Sequence, residues 1–252
     1  MKRMLFFPLL IVLIASGDLA WAAGRAVPGQ SVDLLNDDFK DDGKSHQNSI
    51  YDPLEPMNRV FFEVNDKLYF WVLKPIKTGY VAVVSPDIRQ CFGNFFDNIS
   101  SPVSLLNNLL QGRFEDAWVV LSRFLINSTL GIYGFGDAAT TAFNITPRPA
   151  DFGQTLGVYG FGEGIYFFWP VIGPSNIRDS VGFAADSFAH PTSFLDWNIY
   201  ERAGYYMGNK INSMSLKPEV YEDVKKYSLD PYVATRQAYS EYRHDQIDKQ
   251  KR

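Results

Sequence analysis

Pro102–Asp137 reads PVSLLNNLLQGRFEDAWVVLSRFLINSTLGIYGFGD, and this run limits the kind of fold the chain can have. Between Pro102 and Thr146 only Arg113, Glu115, Asp116, Arg123 and Asp137 are charged. Two helices fit. The first covers residues 102–111, carries Val103, Leu105, Leu106, Leu109 and Leu110, and has Gly112 placed to end it. The second runs from Phe114 to about Leu130, with Phe114, Trp118, Leu121, Phe124 and Leu125 on one face and Val119, Val120 and Ile126 on others. A helix that is apolar nearly all round is either buried in a large protein or set in lipid. Neither segment has the ~20 apolar residues a bilayer crossing needs. In lipid, such helices would lie within one leaflet.

The run ends on a phrase that the chain writes twice. Thr129–Asp137 is TLGIYGFGD and Thr155–Glu163 is TLGVYGFGE. Each copy holds three glycines, Gly131, Gly134 and Gly136 in the first and Gly157, Gly160 and Gly162 in the second. Glycine is free to take positive φ and lets other groups approach the backbone closely. Two readings stand side by side: turns that end helices, or elbows that line or hinge a functional passage. No similarity extends beyond the phrases, so two sites with one backbone demand explain them better than a duplication.

Working outward, one device recurs. A capping residue followed by proline, which suits a helix start, occurs at Asp52-Pro53, Ser85-Pro86, Ser101-Pro102 and Asp230-Pro231, with His190-Pro191 as a further candidate. Its recurrence predicts a mainly helical protein. A first helix is expected over 53–73, on Met57, Phe61, Val64, Leu68 and Trp71, stopped by Pro75. A second is expected over 86–96, with Cys91 as a small core residue. Lys74 and Lys77 suit either a helix C-terminus or a lipid headgroup region. Past Pro147–Pro149, the run Ile165–Trp169 is five large apolar residues flanked by glycines and prolines, room for a short hairpin. Helices are expected over 178–187, 191–206, 219–227 and 231–248, and the basic residues 249–252 are expected to fray.

The chain has 252 residues, a formal charge of −4 and one cysteine, so no basic balance argues for nucleic acid and no intrachain disulfide can form. Residues 1–22 read as a signal peptide: Lys2 and Arg3, an apolar stretch, then Ala20-Trp21-Ala22, with cleavage before Ala23. Residues 23–50 are polar and Asp-rich, and read as a flexible tether before a single domain over 51–248. No catalytic constellation is found. H-E-x-x-H is absent, Gly173-Pro174-Ser175-Asn176-Ile177 lacks the second glycine of a hydrolase elbow, and no lysine follows the glycine runs to hold a phosphate. No enzyme, cofactor or metal is expected.

The chain resembles the MlaA (VacJ) family. The resemblance rests on DPLEPMNR at Asp52–Arg59, LKPI at Leu73–Ile76, GNFFDN at Gly93–Asn98, NNLLQG at Asn107–Gly112 and RFLIN at Arg123–Asn127. Both glycine phrases, DFGQTLG from Asp151, GPSNIRD at Gly173–Asp179 and DPY at Asp230–Tyr232 continue it. It implies a ring-shaped helical body in the inner leaflet of the outer membrane. Through the ring, misplaced outer-leaflet phospholipid would pass to a soluble periplasmic carrier of the Mla pathway, with a trimeric porin as scaffold, maintaining lipid asymmetry. Many members are lipoproteins with a cysteine at the cleavage point; here Ala23 and Gly24 stand there. Attachment is therefore expected to rest on the apolar helices. A lipid passage needs polar walls for a headgroup. The candidates are Asn107, Asn127, Thr129, Asp137 and Asp151, with Arg123 as a phosphate partner and the six phrase glycines as lining or hinge. The alternative is a soluble periplasmic lipid-binding or scaffold protein.

Overall fold

A computed structural model describes residues 50–217 and 220–251. The expected signal peptide and nearly all of the expected tether lie outside the described residues. The described chain is mainly helical, with one small hairpin. In order, the elements are α1 (Glu55–Leu68), a π-helical stretch (Tyr69–Leu73), α2 (Lys74–Val83), α3 (Pro86–Leu110), α4 (Phe114–Thr129), α5 (Ala138–Phe143) and α6 (Phe152–Val158). Then come β1 (Tyr166–Trp169), β2 (Gly173–Asn176), α7 (Ile177–Ala189), a 3-10 turn (Pro191–Phe194), α8 (Ile199–Leu216), α9 (Val220–Tyr227) and α10 (Pro231–Lys251).

The cap-then-proline device works unevenly. The Ser85 hydroxyl accepts from the Ile88 N–H and opens α3, and the Asp230 carboxylate accepts from the Tyr232 and Val233 N–H groups at 3.0 and 3.2 Å and opens α10. Asp52 caps nothing. Its carboxylate instead accepts from Asn58 Nδ2 and Arg236 Nη1, both at 2.8 Å, and from the Tyr232 hydroxyl. At Ser101-Pro102 the expectation of two helices fails outright, because α3 runs unbroken through Pro102 for 25 residues. Proline removes one donor from the ladder. The Ser100 and Ser101 hydroxyls bond back to the Phe96 and Asp97 carbonyls at 2.9 and 3.1 Å in the turn just before it.

Pro75 likewise fails to stop the first helix. The ladder widens to π geometry over Tyr69–Leu73, which ends immediately before Lys74-Pro75, and proline then falls in the first turn of α2, where its missing N–H is not needed. Cys91 is exposed on α3 rather than in a core. His190-Pro191 starts only the 3-10 turn. The helix expected over 191–206 begins at Asn198, whose capping box with Glu201 sets the start, and extends to Leu216. At the far end α10 continues to Lys251, with Gln250 buried and bonded to Gln154, so residues 249–251 of the expected frayed tail are helical.

The hairpin is antiparallel, Tyr166 opposite Asn176 and Trp169 opposite Gly173. Two asparagines on one face of α1 hold it. Asn58 accepts from the Phe168 N–H at 2.9 Å and donates to the Tyr166 carbonyl at 3.1 Å, taking the place of a neighbouring strand. Asn65 donates to the Trp169 carbonyl at 2.7 Å and accepts from Val171 N–H in the turn, where Val171 has φ 69°. Phe62, Tyr166, Phe168 and Tyr232 form an aromatic core between α1, β1 and α10, with edge-on contacts of 5.4 Å (Phe62–Phe168) and 5.9 Å (Phe62–Tyr232) between ring centroids.

Burial is inverted relative to a water-soluble protein. Among the described residues eleven apolar side chains are buried against nineteen polar or charged ones. α4 shows why. Its buried positions are Ala117, Val120 and Asn127, while Phe114 and Trp118 are 70% and 68% exposed. The large residues face outward and small or polar ones face in. No helix of the described residues is long and apolar enough to cross a membrane.

Candidate functional site

Around the inward faces lies a cavity of about 720 Å³, walled by α3, α4, α7, α8, α10 and the hairpin. Its surface is rich in Asn, Ser and Asp, with Tyr205, Tyr206, Tyr239 and Tyr242 among the lining rings. Of the residues singled out from the sequence, Arg123, Asn127, Asp137 and Asp151 line it, and Asn107, Thr129 and the six phrase glycines do not.

Two groups of the lining charges are matched. Arg123 projects from α4, and its Nη2 donates to both oxygens of Asp137 at 2.9 and 3.0 Å. Its Nη1 donates to Thr140 Oγ1 at 2.7 Å and to the Ile145 carbonyl. Asp137, the closing carboxylate of the first phrase, caps α5 and also accepts from Asn127 at 3.1 Å. Burial alone would raise the Asp137 carboxyl; hydrogen bonds from Thr140, Arg123 and Asn127 outweigh it and hold it below its ordinary value. Asn127 is saturated as well, its oxygen accepting from Ala139 N–H at 2.8 Å.

A second group joins three helices. Asp151 caps α6 and receives Arg243 of α10 at 2.7 and 2.9 Å. Arg243 also donates to Asp179 of α7 at 2.9 and 3.0 Å. Burial pushes the Asp179 carboxyl up, but Arg243 and Arg178 together overcome it and hold it at about 2. His190 reaches Ser100 Oγ at 3.3 Å and Thr192 Oγ1 at 2.7 Å, and burial lowers it to about 4, so it is neutral at neutral pH. Its Nδ1 meets a hydroxyl rather than a carboxylate, which leaves no Ser-His-acid relay at this place.

Asn107 is a fully buried node behind the wall, bonded to Asp186 at 2.8 Å and to Thr155 at 2.9 Å, and so ties α3 to α6 and α7. Thr129 is exposed and bonds back to Leu125 at 2.7 Å. The glycines serve close packing and backbone sign. A Cβ on Gly131 would lie 2.1 Å from the Gly136 carbonyl oxygen, one on Gly134 2.6 Å from Asn98, and one on Gly157 2.4 Å from Ile247. Gly160 has φ +91°, and neither it nor Gly162 meets anything within 4 Å.

Sequence reasoning passed over Arg148, which lines the cavity between Pro147 and Pro149. The Pro-Arg-Pro spelling was available as a signal: two prolines fix the backbone around one long cation.

Comparison with known proteins gives the kinship. The family model for the MlaA lipoprotein matches residues 50–246. An intermembrane phospholipid transport system lipoprotein MlaA of Escherichia coli is 33% identical over 199 residues, covering 78% of both chains. An uncharacterized protein of Rickettsia conorii is 32% identical over 84% of this chain and 85% of its own. A solved structure described as the structural basis for maintenance of bacterial outer membrane lipid asymmetry superposes with a TM-score of 0.70 at 30% identity, over 78% of this chain and 98% of that one. The architecture is thus a ring-like helical body around a cavity that both polar and apolar side chains line. The chain belongs to the MlaA lipoprotein family.

Proposed function

We propose that the cavity is a passage for phospholipid. The protein would sit in the periplasmic leaflet of the outer membrane, take up phospholipid misplaced in the outer leaflet and release it to a soluble periplasmic carrier, with a trimeric porin as scaffold and no catalytic step. The observation that carries this is the inverted burial: bulky residues such as Phe114, Trp118 and Leu125 point out, and a cavity whose wall sets Asn, Ser, Asp and Arg side chains among apolar ones lies within. Soluble monomers rarely expose apolar patches beyond a few hundred Å². An apolar exterior suits acyl chains, and the polar side chains of the cavity wall suit a headgroup that would lose several kcal/mol unpaired in hydrocarbon. The Escherichia coli relative, named for intermembrane phospholipid transport, and the structural neighbour, described by outer membrane lipid asymmetry, support the same reading.

The test fills the cavity. Ala184 lines it from α7. Ala184→Phe is expected to raise outer-leaflet phospholipid, measured by its access to externally added phospholipase, several-fold towards the level of a strain lacking the protein, with protein abundance unchanged. Wild-type lipid asymmetry in cells carrying a stably folded Ala184→Phe protein would overturn the passage.

A further inference from the structure

We propose that Arg148 makes the phosphate contact of the lipid in this cavity, an inference that rests on the passage reading above. Three arginines line the cavity. Two of them are committed: Arg123 is engaged by Asp137, Thr140 and the Ile145 carbonyl, and Arg243 by Asp151 and Asp179. Arg148 differs. Its side chain is half exposed, its Nε lies 3.1 Å from Asp116 Oδ1, and among the described residues its Nη atoms meet no hydrogen-bond acceptor. Asp116 is itself shared, because Arg113 Nη2 sits 2.5 Å from its other oxygen. One carboxylate between two guanidinium groups leaves this triad, of which Arg148 lines the cavity, with a unit of positive charge.

The backbone beneath that charge is fixed. Pro147 and Pro149 restrict the chain on either side, and Asn108, fully buried, donates to the Arg148 carbonyl at 3.0 Å. A guanidinium held by its base with its two Nη groups open presents a planar fork that matches the two unesterified oxygens of a phosphodiester. Arg123, the phosphate partner suggested by the sequence, has no such fork to offer. The shared chemistry is a phosphate oxyanion, and a lipid headgroup or free phosphate could supply it.

Binding titrations of the full chain in nonionic detergent decide the matter, with phosphatidylglycerol, diacylglycerol and inorganic phosphate as separate ligands. Arg148→Gln is expected to weaken phosphatidylglycerol binding about tenfold, in line with loss of a charge-assisted bond, and to leave diacylglycerol binding unchanged. Asp116→Asn releases the Arg148 Nε and is expected to tighten phosphatidylglycerol binding, an effect of opposite sign that a merely structural role would not produce. Arg148→Lys, which keeps the charge and loses the fork, is expected to fall between. Equal phosphatidylglycerol binding by wild type and Arg148→Gln overturns the assignment and leaves the passage standing. Failure of the wild type to bind either lipid overturns the passage reading itself. Arg148-dependent binding of inorganic phosphate as tight as that of the lipid overturns the lipid source and makes this a free-phosphate site.

Discussion

Gly134 and Gly160 hold the same place in the repeated phrase and take nearly the same φ, 88° and 91°. Their surroundings differ: Gly134 packs against the Asn98 side chain, and Gly160 faces open space. Gly160→Ala should therefore cost only the left-handed backbone penalty, about 1–2 kcal/mol, whereas Gly134→Ala should cost this and a repacking of Asn98, at least another ~1 kcal/mol. Thermal unfolding of the purified variants checks the order, and equal shifts would mean that Asn98 yields freely. A hinge role predicts in addition that Gly160→Ala disturbs lipid asymmetry at normal protein level. The repeat made the glycine demand readable. It could not show that Ile132 and Tyr133 take φ 52° and 55° in the first copy only, since that conformation is imposed by bonds from Tyr133 N–H to Ser128 and from Gly134 N–H to Asn127. Arg123 was visible as a lone cation on an apolar helix. Its saturation by Asp137 was not, because the partner comes from a separate turn.

Helices were legible where the signal was local and misread where proline was taken as a stop. Caps at Ser85 and Asp230 act through neighbouring N–H groups and can be read from a few residues. Pro75 and Pro102 are absorbed by a π-widened turn and by a long, packed helix, and neither outcome is written in the adjoining residues. The capping box Asn198…Glu201 was written there and was overlooked. α4 carries the clearest element-scale consequence. Its aromatic face was identified as a stripe, and the structure turns Phe114, Trp118 and Leu125 of that stripe outward, with Leu121 and Phe124 half-buried. Each such residue contributes about 1.5–3 kcal/mol when it is removed from water. Phe114→Ser combined with Trp118→Ser should thus weaken membrane association by roughly 3–6 kcal/mol in sum, and release a measurable fraction of the protein into an alkaline carbonate wash that leaves the wild type in the pellet. Full retention of the double variant would mean that α4 does not face the acyl region.

At the scale of the whole molecule, a mainly helical class followed from composition and pattern, and the ring from resemblance. Ring closure itself was beyond local reading. Asp52 meets Arg236 and Tyr232 across 184 and 180 residues of sequence, Arg59 meets Asp230 at 2.7 Å, and Arg243 reaches both Asp151 and Asp179. α10 therefore joins the beginning of the described chain to its middle. Deleting residues 231–252 should remove more than one helix: it strands Asp52 and Asp151 without their arginines and leaves Asp179 with Arg178 alone, and a buried carboxylate that loses its partner costs about 3–5 kcal/mol. The truncated protein is expected to fail to accumulate, as measured by immunoblot of membrane fractions. Accumulation at wild-type level would show the ring to be closed by other contacts.

The position of that closing helix also sets a schedule. A chain emerging from its amino end presents Asp52 184 residues before Arg236, so the partners that close the ring wait for all the helices between them to arrive. Contacts so distant along the chain form slowly. Until they form, α4 and its neighbours have an apolar exterior without the finished body to carry it, the condition under which chains aggregate. Docking of α10 is thus the step that commits the molecule, and the open chain has to be kept apart from its own kind until then.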